Sequence, residues 1–214
     1  NLLRVQGDLL AAHALGIRNV FVMMGDPTSI GEYPNAMDNY DLVPSGLIQL
    51  IKQSFNRGTD QFGTEIDQPT SFFVGSALNV NAGNLEKELR SHLKKSKAGS
   101  DFVLTQPIFD AEKGIERLHW FREKGNQPNL KILAGILPLS TDRHAIFLHN
   151  EVPGISIPEK IIERMQQAGR QSPRVGIEIA VELIEALKPY VQGIYIMPAF
   201  NRFDYVSEII EKVK

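Results

Sequence analysis

The sequence contains no cysteine. Disulfides, thiolate nucleophiles and cysteine-based zinc sites are therefore excluded. No apolar run approaches the roughly 18 residues of a membrane-spanning helix, and no signal peptide is visible, so a cytoplasmic protein with no membrane partner is expected. Charge of one sign is also scarce. The 23 basic and 25 acidic residues leave a formal net charge of -2, which offers no attraction for nucleic acid or an anionic surface. None of the 17 glycines falls in a G-x-G, and no G-x-x-x-x-G-K-[ST] occurs. The fingerprints of dinucleotide-binding doubly wound sheets and of P-loops are thus missing. The five histidines are scattered, and His144 and His149 do not share a helix face, so no metal site is expected.

What is present is a βα pattern. The 214 residues are 43% hydrophobic, enough to bury the core of one domain. Apolar runs at 19–26, 71–78, 101–109, 131–138 and 193–200 are continuous rather than alternating, as expected of parallel strands covered on both faces. Helical stripes separate them. Leu47, Ile48, Leu50, Ile51 and Phe55 make one; Leu85, Leu89 and Leu93 recur every fourth residue; Ile115, Leu118 and Phe121 follow a similar spacing. Residues 177–187 and 205–213 supply two more helices. Residues 1–16 form another, with Leu2, Val5, Leu9 and Ala12 on one face and Gly16 at its end. The class is α/β. A (β/α)8 TIM barrel is favoured over an open doubly wound sheet. Such a barrel takes about 250 residues, so this chain is expected to be a barrel without its first three strands.

Chemistry in a barrel gathers at the C-terminal ends of the strands. Those ends read Gly25-Asp26, Ala77-Leu78-Asn79, Thr105-Gln106-Pro107, Leu137-Pro138 and Asn201-Arg202. The set holds one acid with amide and apolar groups, and no histidine, lysine or cysteine nucleophile. That is a poor kit for hydrolysis. It suits a flat heteroaromatic ring, which needs a few amide hydrogen bonds above an apolar floor.

These residues resemble a known family. "MGDP" at 24–27, "AGSDFVLTQPIFD" at 98–110, "AGILPL" at 134–139, "FLHNEVPGISIPEKIIERM" at 147–165 and "FNRFD" at 200–204 are similar to 5,10-methylenetetrahydrofolate reductase, a flavin-containing (β/α)8 barrel. The resemblance covers essentially the whole chain. Its details look most like the version fused behind a homocysteine methyltransferase module. It implies reduction of methylenetetrahydrofolate to 5-methyltetrahydrofolate with NAD(P)H, FAD as cofactor, and a place in the one-carbon metabolism that feeds methionine synthesis. It is compatible with a homo-oligomer. Family members carry three strands before the helix that opens this chain, with a proton-donating glutamate on the first. Residues 1–214 are therefore expected to be the C-terminal part of the reductase barrel, N-terminally incomplete.

The resemblance also assigns roles. Asp26 becomes the strand-end carboxylate beside flavin and pterin, catalytic as well as binding; without it, Asp26 reads equally as a turn cap before Pro27. Gly25, Glu88, Ser91, Lys94 and Lys95 become FAD contacts. By spacing alone, Glu88 and Lys95 share a helix face, and the surrounding cations read as a solvated helix end. Gln106 and Arg202 become folate contacts; by themselves they could satisfy backbone or surface groups. Met24, Asp142 and Pro198 depart from the family pattern, which leaves NADH and NADPH both open. Two rivals stand beside this reading. One is a folate-binding methyltransferase barrel without redox chemistry. The other is a catalytically incomplete fragment.

Overall fold

The computed structural model describes residues 1–25, 27–37, 40–152 and 154–214. Contacts divide the chain into two compact units, residues 1–77 with 90–102 and residues 78–89 with 103–214. Helices and parallel strands alternate in both, so the class is α/β, as the sequence pattern predicts. Among the described residues no helix is long and apolar enough to cross a membrane.

The first unit begins with α1 (Leu2–Ala14), capped by the Asn1 side chain, which accepts the Arg4 N–H at 3.2 Å. Gly16 at φ +87° turns the chain out of the helix. Strand β1 (Asn19–Val22) pairs in parallel with β2 (Phe73–Leu78), from Asn19 opposite Phe73 to Val22 opposite Ser76. Between them, α2 (Pro44–Gln49) continues through a wide turn at Leu50–Ser54. Val22, Ile48, Ile51, Phe72, Val74 and Ala98 form the core here, to which the apolar stripe of the sequence contributes Ile48 and Ile51. Asp101 ties the unit's elements together. Its carboxylate accepts the Val74 N–H at 2.7 Å and pairs with the Lys52 ammonium at 2.8 Å. Most of α3 (Leu85–Ala98) belongs to this unit; its first turn belongs to the other.

In the second unit β3 (Phe102–Pro107), β4 (Ile132–Ile136) and β5 (Gly193–Ile196) lie side by side and parallel. Helix α4 (Ala111–Lys124) starts at Asp110, whose carboxylate accepts the Lys113 N–H at 3.1 Å. Leu118, Phe121, Ile132 and Ile136 are fully buried. Helices α5 (Asp142–Glu151), α6 (Glu159–Ala168) and α7 (Ser172–Leu187) follow β4, and α8 (Phe203–Val213) closes the chain. Gly176 of α7 lies so near the Leu139 carbonyl that a Cβ there would sit 1.8 Å from its oxygen. This contact seats α7 on the segment leaving β4.

The strands are shorter than the apolar runs. The expected strand at 193–200 ends at Ile196. Phe200 and Asn201 each have φ of +56°, a left-handed conformation that no extended strand contains. Helices α5 and α6 were not anticipated from periodicity. In α5 the apolar residues Ala145 to Leu148 are consecutive, and Phe147 is 56% exposed. In α6 only Ile161 and Met165, one turn apart, are buried.

Candidate functional site

Asp26 lies outside the described residues. Its neighbour Gly25 is exposed in the segment after β1, and a Cβ there would meet nothing within 4 Å. Beside it is a recess of about 160 Å³ walled by Met23, Met24, Leu2, Val5 and Leu47, with Tyr40 at its edge.

The α3 residues separate by burial. Ser91 and Lys94 are exposed, whereas Lys95 is only 7% exposed and its ammonium donates to the Ala77 carbonyl of β2. The sequence suggested a solvated helix end as the plain alternative for this cluster. For Lys95 that alternative fails, because a buried lysine charge persists only with polar partners. Glu88, at the start of α3 in the second unit, is half-buried and accepts the Asn79 N–H at 3.1 Å. The Asn79 side chain in turn accepts the Asn81 N–H at 2.9 Å. Glu88 thus shapes the connector between β2 and α3.

Gln106 is exposed at the end of β3, between the buried Thr105 and Pro107. It stands in a break in the sheet register. Leu104 is opposite Leu133 and Pro107 opposite Gly135, so β3 uses one more residue than β4 over this stretch. Side chains add bonds to the backbone there. The Gly135 N–H donates to Thr105 Oγ1 at 2.9 Å, and Thr105 Oγ1 donates to the Gln106 carbonyl at 2.8 Å. The Thr105 carbonyl accepts the Tyr195 hydroxyl. Asn81 Nδ2 donates to the Pro107 carbonyl at 3.1 Å. Burial holds the Tyr195 phenol above its usual range, so it remains a donor.

Arg202 lies between the left-handed Phe200–Asn201 pair and α8. Its guanidinium donates to Asp204 at 2.6 Å and sits 3.9 Å from the centre of the Tyr205 ring. Arg202 therefore lies beyond β5, at the start of α8 rather than at a strand end, and is held in place by an acid and an aromatic face. Beside the same turn, the His144 ring meets Phe200 edge-on at 4.9 Å, and His144 Nδ1 accepts the Ser140 N–H at 3.3 Å. Burial keeps this imidazole below the usual histidine range.

Sequence reasoning named Gln106 and Arg202 but missed Thr105 as a bond-maker, Tyr195, Gly135 and His144. One signal for the first group was available: a glycine inside a strand, as in "LAGIL", marks a bulge or a close approach. Nothing in the sequence pattern pointed to His144.

Comparison with known proteins gives a consistent picture. The family model described as "Methylenetetrahydrofolate reductase" matches residues 1–214. "Methylenetetrahydrofolate reductase 2" of Schizosaccharomyces pombe is 22% identical over 198 residues, which cover 86% of this chain and 29% of that protein. "Methylenetetrahydrofolate reductase 1" of the same yeast is 24% identical over 187 residues, 86% of this chain and 29% of that protein. "Methylenetetrahydrofolate reductase 2" of Saccharomyces cerevisiae is 25% identical over 191 residues, 86% of this chain and 30% of that protein. The chain thus spans under a third of the length of these relatives. A solved structure, "Uncharacterized protein from Clostridium thermocellum binds two copies of 5-methyl-5,6,7,8-tetrahydrofolic acid", aligns over 67% of this chain and 53% of its own at 19% identity. Its TM-score of 0.47 is too low to bear on fold or ligand.

Proposed function

Since the chain belongs to the methylenetetrahydrofolate reductase family, whose model matches it from residue 1 to 214, we propose that the intact protein reduces 5,10-methylenetetrahydrofolate to 5-methyltetrahydrofolate with NAD(P)H. The observation that carries this reading is the presentation of Gln106: an exposed amide on a buried, side-chain-braced strand end. An amide donates and accepts at once, as the edge of a pterin requires. Arg202, fixed over Tyr205, is the second folate contact. Its remaining donors suit a carboxylate or carbonyl of the substrate.

The donor set fits FAD as the resident cofactor. In this reading the exposed Ser91 and Lys94 of α3 suit ribose hydroxyls and phosphates, and Gly25 leaves room for the close approach of a ring. When bound, FAD would carry hydride from NAD(P)H to the folate. Glu88 and Lys95 are further proposed FAD residues; each is held within its own unit, Lys95 by donating to the Ala77 carbonyl and Glu88 by accepting the Asn79 N–H. In this reading the role given to the Asp26 carboxylate is to tune the ring's potential. A cytoplasmic location belongs to the same proposal.

The test is stoichiometry. The intact natural protein, given NAD(P)H and methylenetetrahydrofolate, should form one 5-methyltetrahydrofolate for each nicotinamide oxidised. Nicotinamide oxidation without methyltetrahydrofolate would refute the folate assignment.

A further inference from the structure

We infer that Tyr195, with Thr105 and Gly135, is a positioning residue that aims the Gln106 amide. This rests on the folate reading of Gln106 given above. A regular parallel ladder would alternate successive β3 side chains between the two faces of the sheet. The register break falls between Leu104 and Pro107, and burial keeps its alternation through it, with Val103, Thr105 and Pro107 buried and Gln106 exposed between the last two. A bulge bends its strand locally beside active sites, and it leaves backbone groups without ladder partners. Here the Thr105 and Gln106 carbonyls and the Gly135 N–H bond side chains.

The Thr105 carbonyl is the critical one. It immediately precedes Gln106, is buried, and accepts the Tyr195 hydroxyl from β5, across the intervening β4. Gly135 leaves room for that reach. A Cβ on Gly135 would lie 2.8 Å from the Tyr195 oxygen and 2.9 Å from the Thr105 oxygen. Thr105 Oγ1 then joins the Gly135 N–H to the Gln106 carbonyl. The peptide units on both sides of Gln106 are thereby held through their carbonyls, one by Tyr195 and one by Thr105. Neither Tyr195 nor Gly135 has to touch substrate. Their effect on a ligand would pass through the direction of one amide.

The experiment uses the intact natural protein and compares Tyr195→Phe, Gln106→Leu and the double variant. Stopped-flow absorbance would follow the NAD(P)H half-reaction and the folate half-reaction separately. Selective glutamine labelling would report the Gln106 side-chain amide by NMR. Tyr195→Phe keeps the ring and removes only the hydroxyl. It should raise the half-saturating concentration of methylenetetrahydrofolate by about tenfold, the scale of one lost bond to a buried carbonyl. The NAD(P)H half-reaction should hold, and the Gln106 amide resonance should move. In the Gln106→Leu background the same change should add almost nothing, since its target is gone. An unmoved Gln106 resonance, equal losses in both half-reactions, or full additivity would overturn the positioning role. If Gln106→Leu spares the folate half-reaction while Tyr195→Phe still moves the resonance, the folate reading of Gln106 falls. The positioning of the amide then stands without it.

Discussion

His144 shows what burial does to a single side chain in this protein. Its Nδ1 accepts a backbone N–H from Ser140, its ring meets Phe200, and burial lowers its affinity for a proton. A protonated ring would carry a donor where an acceptor is needed. The unfolded chain takes up a proton below about pH 6.5, where free histidine titrates; the folded chain resists until lower pH. The unfolded state therefore binds more protons in that window, and stability falls as pH drops from about 6.5 toward the lowered native value. The melting temperature should decline over this range. His144→Gln, which cannot titrate, should flatten that part of the profile. An unaltered slope in the variant would remove His144 as its source. Arg202 lies in the same turn and is set by different means, an ion pair and a ring face, which change little over this pH range.

Two elements carry the candidate chemistry, α3 and β3, and they were legible to different degrees. The leucine spacing of α3 located the helix, and its polar residues were found by the same period. What the period could not tell was depth: Lys94 is exposed and Lys95 buried, although they are adjacent. That difference makes Lys95 the sharper test. Lys95→Ala removes the donor to the Ala77 carbonyl and should cost about 1–3 kcal/mol, the penalty for an unpaired buried acceptor. If α3 also holds FAD, the variant should release it faster on dilution, while enzyme still loaded with flavin keeps its reduction rate. A lower melting temperature with unchanged flavin release would make Lys95 only a brace between α3 and β2. In β3 the strand-end glutamine was visible, but the bulge that presents it was not. A bulge is a property of the pairing between β3 and β4, and residues far apart in the chain decide it: Tyr195 from β5 and Gly135 from β4. Helix α5 escaped notice for a local reason. Its apolar residues are consecutive, and its start depends on the Thr141 cap, which accepts the His144 N–H at 3.0 Å.

At the scale of the molecule, the βα alternation and the α/β class followed directly from continuous apolar runs separated by helical stripes. The family match over residues 1–214 agrees with them. The chain spans under a third of the length of its curated yeast relatives, so the proposed activity belongs to the intact protein. The exposed Gln106 amide suits a site that positions a ring and leaves bond-making to a cofactor. One measurement tests this most directly. The purified intact protein is titrated anaerobically, first with NAD(P)H and then with methylenetetrahydrofolate, while its visible spectrum is followed. The account predicts flavin bands that bleach with one equivalent of NAD(P)H and return with one equivalent of the folate, as 5-methyltetrahydrofolate appears. A preparation with no flavin bands after supply of FAD, or bleached bands that methylenetetrahydrofolate fails to restore, would contradict it.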